Sequence, residues 1–264
     1  MPIWITITLT VVLSVIMSLL GTLLTYELFT YRELAANNDI ANAKYGYFGG
    51  IFAVSLGLAL VGAYGVYMDL RDSSVREAGA LRTLYYSLPA GGDAQIGPYD
   101  AAKKAAIINY AKAIVDGESM IQTESEMATS TSVALKKMFD ALMAEPSRNP
   151  ILDSHMHWIN DAIEAHSMRT ATYSRTLSIM IWTILLFGTF LSITVPLFIG
   201  TQYFMTQALL SSAFSTFIML HLLVIIHLAY PINSEIGITA EPYSEFIEEV
   251  RKLQEELVTQ SNPL

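Results

Sequence analysis

Charged residues vanish from three long stretches of this chain. Met1 to Tyr26, Gly46 to Met68 and Thr176 to Ser234 contain no Asp, Glu, Lys or Arg. A helix crosses the hydrocarbon core of a bilayer in about 20 residues. The first two runs each fit one crossing, and the third fits two with a turn between them. The predicted spans are Ile3–Tyr26, Gly46–Met68, Leu177–Ile199 and Met205–Tyr230, with the turn near Gly200–Phe204. The first run has no basic start and exceeds the apolar stretch of roughly 7–15 residues of a signal peptide, so it reads as a span.

Between the second and third runs lies a hydrophilic block whose pattern is helical. Val75, Ala78, Leu81, Leu84 and Tyr85 recur at i, i+3, i+4 spacing. Pro89-Ala-Gly-Gly ends that helix. A second begins near Pro98, a tolerated first-turn position, and carries Ile107, Tyr110, Ala111, Ile114 and Ile121 on one face. A polar patch at Thr123–Ser132 weakens the pattern, and Ala134–Met143 resumes it. A third helix over Leu152–Arg175 is expected to run straight into span three. No alternating apolar/polar run of useful length suggests a strand. The prediction is an all-α integral membrane protein of four transmembrane helices with a helical cytoplasmic extension. Its segments are 1–68 (spans one and two with a short external loop), 69–175 (cytoplasmic helices), 176–230 (spans three and four) and 231–264 (a cytoplasmic turn and tail helix).

Lys and Arg counts orient the spans. The Glu27–Tyr45 connection holds Arg32 and Lys44, the turn near Gly200 holds none, and the middle block and tail hold the other thirteen. Block and tail therefore face the cytoplasm, with both termini, in the plasma or inner membrane.

Composition sharpens this reading. Of 264 residues, 53% are hydrophobic and only 15% charged, against about 25% charged in soluble domains. The absence of cysteine excludes disulfides, thiolate metal sites and cysteine nucleophiles. A net charge of −9 argues against a nucleic-acid partner, and in a vestibule it would favour cations. No G-x-S-x-G, P-loop, H-E-x-x-H or dinucleotide glycine pattern occurs, so neither an enzyme nor a cofactor is expected. Pro196 is a candidate kink in span three.

Several residues invite two readings. Span two carries Gly46 and Gly50 as a G-x-x-x-G, a ridge continued by Ser55, Ala59 and Ala63, with Gly57, Gly62 and Gly65 nearby. Such ridges allow close helix approach. They suit either tight packing inside one bundle or a pore-lining helix around an oligomer axis, with Phe48, Ile51 and Phe52 forming an apolar constriction. His221 and His227 in span four suit neutral imidazoles bonded to neighbouring helices, or an ion path. Asp153, His157 and Asp161 share a helical face that is a solvated surface or a metal site. Glu77 and Glu118 border apolar faces and lack the Glu-x-x-His partners of a di-metal bundle. Salt bridges to Arg82, Arg169 or Arg175 are their alternative.

Four segments resemble the bestrophin-like family of membrane proteins. HLAYPINSEIGITAEPY, His227 to Tyr243, places a proline directly after the last span, then a glycine and an extended run ending Pro-aromatic. VREAGALRTLY (Val75–Tyr85), YAKAIVDGE (Tyr110–Glu118) and RTATYSRTLSIMIWTIL (Arg169–Leu185) are similar to its other segments. The sequence departs at Ser119, where the family often has Trp, and at Ile232, where it often has Phe. The resemblance implies a homo-oligomer, pentameric in bestrophins, that passes small inorganic ions such as chloride amid membrane lipids, with span two at the axis. Pore-lining residues would be Phe48, Ile51, Phe52, Ser55 and Ala59. Glu77, Glu118, Arg169, Arg175, Pro231 and Gly237 would be structural or gating positions. The tail acids are spread out, so no calcium clasp is expected. The alternative is a non-conducting scaffold or sensor whose cytoplasmic helices bind a partner.

Overall fold

The computed structural model describes residues 3–35, 38–88, 98–119, 124–144, 150–173, 177–230 and 240–261. Among these the chain is helical and holds no strand. The elements are α1 (Ile3–Leu28), α2 (Tyr31–Ala35), α3 (Asn38–Ser87), α4 (Pro98–Ser119), α5 (Glu124–Met143), α6 (Pro150–Tyr173), α7 (Ile179–Thr194), a 3-10 turn (Val195–Phe198), α8 (Phe204–Ala229) and α9 (Glu241–Ser261). Four segments of the described residues are long and apolar enough to span a membrane: α1, α3, α7 with its 3-10 turn, and α8. The chain is an integral membrane protein.

The sequence expectation separated span two from the first cytoplasmic helix. The structure joins them in the single 50-residue helix α3. Nothing between Val66 and Ala78 breaks it, because that stretch holds neither Gly nor Pro. The expectation that the third hydrophilic helix runs into span three fails for the opposite reason. The Ser178 side chain accepts from the Ile181 amide at 3.4 Å and caps a new start at Ile179. Pro196 lies where α7 tightens into the 3-10 turn.

The chain divides into two compact units. The first comprises residues 1–66 and 176–230. Here α1 packs on α8 through a seam of small polar residues. Ser14, Ser18, Thr22 and Thr25 are the buried residues of α1, while Ser211 and Ser215 are buried on α8. Ser14 Oγ meets Thr216 Oγ1 at 2.9 Å across the seam. In lipid, hydrophobicity does not drive helices together, so close approach and hydroxyl contacts must do so, each contact contributing about 0.6 kcal/mol. The membrane half of α3 packs by another route. Phe52, Leu56, Ala59 and Ala63 form a cluster with Leu185, Ile218, Leu222, Ile225 and Ala229.

The second unit comprises residues 67–175 and 231–264. Its core gathers Leu81 and Leu84 of α3, Ile107 and Ile114 of α4, Met138 of α5, Ile159 of α6, and Phe246 and Val250 of α9. Phe246 and Val250 are buried, and Leu253 is exposed.

Candidate functional sites: a two-faced helix and a buried polar cage

The membrane half of α3 has two faces with opposite character. Phe48, Phe52, Leu56, Ala59 and Ala63 recur three or four residues apart, on one helical face, and meet α7 and α8. Phe52 lies directly over Gly188, where any Cβ would overlap its ring. On the other side Ile51, Val54, Leu58 and Val61 are exposed, Ile51 by 71%. Gly46, Gly50, Gly57 and Gly65 have no atom within 4 Å of where a Cβ would sit. Tight packing within one bundle thus fails as the explanation for these four glycines.

The five predicted pore residues separate accordingly. Ile51 is exposed, Phe52 and Ala59 are buried within the protomer, and Phe48 packs on the same cluster from its edge. Ser55 is half-buried, and its hydroxyl returns to the Ile51 carbonyl at 3.1 Å. His221 and His227, expected to reach neighbouring helices, bond their own: each Nδ1 lies at 2.9 and 2.8 Å from the carbonyls of Phe217 and Leu223, one turn back. His157 and Asp161 meet at 3.6 Å on an exposed surface. No group of His and acidic residues that could hold a metal occurs among the described residues.

The second unit holds the densest polar cluster, centred on Glu77. In sequence Glu77 interrupts an apolar helix face, and the fold buries it completely. A bare carboxylate in such a place is prohibitive, so every lone pair needs a donor. Arg169 Nε of α6 donates to Oε2 at 2.8 Å, and Tyr243 of α9 donates its hydroxyl to the same oxygen at 2.8 Å. The Tyr110 hydroxyl of α4 donates to Oε1, and Arg169 Nη2 reaches that oxygen at 3.5 Å. The Arg169 guanidinium also lies over the Tyr243 ring, 5.7 Å from its centre. Arg169 is itself wholly buried.

His166 extends the cage. Its Nδ1 is 3.0 Å from the Tyr110 oxygen and 3.3 Å from Arg169 Nη2, and its Nε2 is 3.1 Å from Ser132 Oγ on α5. Tyr110 has committed its proton to Glu77. Its oxygen is satisfied when Nδ1 carries the imidazole proton and Nε2 accepts from Ser132. Four helices thus meet at the carboxylate, and a fifth, α5, joins through His166.

The electrostatics follow from the geometry. Burial pushes the Glu77 carboxyl up, but the Arg169 charge and the hydrogen bonds from His166, Arg169 and Tyr110 outweigh it and hold the group at about 2. Burial, reinforced by the Glu77 charge, lifts the Tyr110 hydroxyl well above its ordinary range. Burial lifts Tyr243 as well; there Arg169 opposes the rise and Glu77 adds to it. At neutral pH the Glu77 anion therefore faces the Arg169 cation and two protonated phenols.

Of the alternatives for Glu77, Arg169 is the partner the fold selects. Arg82 instead pairs with Glu249 at 2.9 Å, near the surface. The Glu118 side chain, Arg175, Pro231 and Gly237 lie outside the described residues. Sequence reasoning missed Tyr110, His166 and Tyr243 as members of one site. A signal existed for two of them, because a tyrosine on an otherwise apolar helix face needs a partner for its hydroxyl.

Comparison with known proteins places these features. A family model described as a bestrophin-like domain matches residues 12–243. No curated protein matches. Among solved structures, a bacterial bestrophin homologue from Klebsiella pneumoniae superposes with a TM-score of 0.70 at 11% identity, covering 90% of this chain and 97% of that one. Two single-substitution variants of the Klebsiella homologue are similar at 12% identity. One has a TM-score of 0.70 and covers 90% of this chain and 98% of its own. The other has a TM-score of 0.67 and covers 91% and 98%. At such identities the likeness concerns the fold. The family match extends over most of the chain: this protein belongs to the bestrophin-like family.

Proposed function

We propose that this chain is one protomer of a homo-oligomeric ion channel, pentameric as in bestrophins, that passes small inorganic anions such as chloride down their gradients. Its axial pore is lined by the exposed face of α3. One observation carries the reading: Gly46, Gly50, Gly57 and Gly65 meet no other part of their own protomer. Small residues give a lipid-facing helix no advantage, since lipid chains pack as well against Leu. They matter where another backbone comes close. Ile51, Val54, Leu58 and Val61 lie on the same side and offer an apolar constriction that gates by excluding water. Ile51 stays in the pore-lining set. Phe48, Phe52 and Ala59 are assigned to holding α3 against its own bundle, and Ser55 lies at the border. Family membership supports an ion-conducting role. The plasma or inner membrane, with cytoplasmic termini, fits the Lys and Arg distribution.

The test is flux from liposomes under chloride, sodium and potassium gradients, with Ile51→Ala beside the parent. Chloride flux that rises with the smaller side chain supports the proposal. A folded oligomer that passes no ion with either side chain sinks it in favour of the scaffold reading. Sodium or potassium flux without chloride flux would reverse the selectivity.

A further inference from the structure

We propose that the second unit carries a binding groove for a small zwitterion of the amino-acid kind, between α3 and α6. The groove lies wholly within residues 67–175 and does not depend on the channel reading. Its origin is in the sequence. Where the two helices face each other the side chains are small: Gly79 and Ala80 on α3, and Ala165 on α6. A Cβ added at Gly79 would meet nothing within 4 Å. Two such faces could close on each other, but the Glu77–Arg169 pair joins the same helices through two long side chains, end to end. That pair holds them at arm's length, and a space of about 430 Å³ remains beside it. Ligand pockets run from about 300 to 1,000 Å³.

The charges around this space name the ligand. Arg76 of α3 and Glu164 of α6 both line it and are exposed. Other charged residues of this unit find partners: Arg82 meets Glu249, Arg169 meets Glu77, and Asp161 meets His157 at 3.6 Å. Arg76 and Glu164 make no ion pair among the described residues, with each other or with anything else. Opposite charges that share a groove and stay apart leave room for a molecule carrying the complement of both. A plain cation would be repelled by Arg76, and a plain anion by Glu164 and Asp161. A zwitterion satisfies both sides, so the groove selects by what it rejects. The Arg76 guanidinium offers a planar fork for a carboxylate. Glu164 accepts from the ammonium, and Asp161 is a second acceptor beside it. Trp158, half-buried, and Met168, exposed, supply apolar surface in the same groove. They suit an aliphatic side chain, because both are large, and Met adapts its shape.

The experiment is titration calorimetry on the full chain in mild detergent, with three probes. L-leucine carries both charges, isoamylamine lacks the carboxylate, and isocaproate lacks the ammonium. The expected result is saturable binding of leucine with Kd on the order of 1 mM. Each one-charge analogue should bind weaker by roughly tenfold to hundredfold, the span for a hydrogen bond to a charged group. Arg76→Gln should weaken leucine by the same factor and leave isoamylamine unchanged. Glu164→Gln should weaken leucine and leave isocaproate unchanged. Both residues are exposed, so neither substitution should disturb folding. Leucine should also alter tryptophan emission in the parent, and Trp158→Phe should abolish that change. No saturable heat from leucine in the folded parent overturns the proposal. So does leucine binding that neither charge substitution weakens, which would put the probe elsewhere. Equal binding of leucine and isoamylamine makes the groove a cation site and overturns the zwitterion. The chain has no cysteine, so Met168→Cys can be labelled alone with a maleimide. Leucine should protect that thiol. A thiol unreactive without leucine would mean that a second copy covers the groove, and that too overturns the proposal.

Discussion

Replacing Arg169 with methionine should be among the most damaging single changes available in the second unit. Arg169 is fully buried, and its guanidinium supplies the countercharge and two of the contacts of Glu77. Removing it leaves a carboxylate in the core without a buried countercharge, held by the two tyrosine hydroxyls and His166. Breaking a buried pair by deleting one partner costs about 3–5 kcal/mol. Arg169→Met with Glu77→Met removes both charges together. What then remains unpaired is small. Tyr110 can turn its proton towards His166 Nδ1, 3.0 Å away, once the imidazole moves its own proton to Nε2 and donates it to Ser132, whereas Tyr243 loses the acceptor it had. One orphaned buried hydroxyl costs about 1–3 kcal/mol. The double variant should therefore be more stable than either single one, and the coupling energy should be several kcal/mol. Urea unfolding in mild detergent can follow this, because Trp158 on α6 packs against the core and its fluorescence reports the second unit. If Arg169→Met unfolds within about 1 kcal/mol of the parent, or if the two changes simply add, the pair does not bear on the core as its burial implies.

Acid should loosen the second unit through the same residue. Glu77 is held at about 2, below its ordinary 4.5, so its contribution is complete above pH 4.5 and is lost as pH falls towards 2. The loss is on the order of 3 kcal/mol, and urea midpoints at pH 7, 4 and 3 should show a slope that Glu77→Gln flattens. In alkali the order reverses: Tyr110 and Tyr243 stay protonated beyond their ordinary 10. Their contribution is full below that value and falls as pH rises past it, which Tyr243→Phe should partly remove. Gly188→Ala drives a methyl into the Phe52 ring; it should cost about 1–3 kcal/mol by overpacking, and Phe52→Leu in the same chain should restore the heat resistance of the detergent-solubilised protein. Gly57→Ala meets nothing in the protomer and gains up to about 1 kcal/mol of helix propensity. Cross-linking should show fewer oligomers without loss of folded protein, and unchanged oligomers would turn that face towards lipid.

The spans were legible because the bilayer imposes a single requirement, length without charge, that three uncharged stretches satisfy openly. The continuity of α3 was legible in principle as well, from the absence of Gly and Pro between Val66 and Ala78, yet the change from apolar to charged residues at Asp69 suggested a boundary. Polarity and backbone continuity are different variables. The α1–α8 seam was hidden because its buried residues are hydroxyl-bearing. In water Ser14, Ser18 and Thr22 would mark an exposed face, and in lipid they mark the packed one. The cage was half visible: Glu77 and Arg169 could be paired by sign and by the need to neutralise a buried charge. Tyr243 comes 166 residues after Glu77, and no local pattern links positions that far apart. Rotation was the least legible feature. Phe48, Phe52 and Ala59 seemed suited to a pore by size and spacing, and only the position of Gly188 shows which way Phe52 faces.

The second unit also has a history in time, because its pieces are synthesised in a fixed order. Glu77 emerges first and Arg169 follows after α4 and α5, but Tyr243 arrives only once α7 and α8 have been made. Until then the carboxylate lacks one of its donors, and the core lacks Tyr243, Phe246 and Val250. A ribosome that stalls between residues 230 and 243 leaves a chain whose membrane helices are complete and whose polar core is open. Docking of α9 therefore closes the cage, because Tyr243 brings the buried carboxylate a donor from a fourth helix.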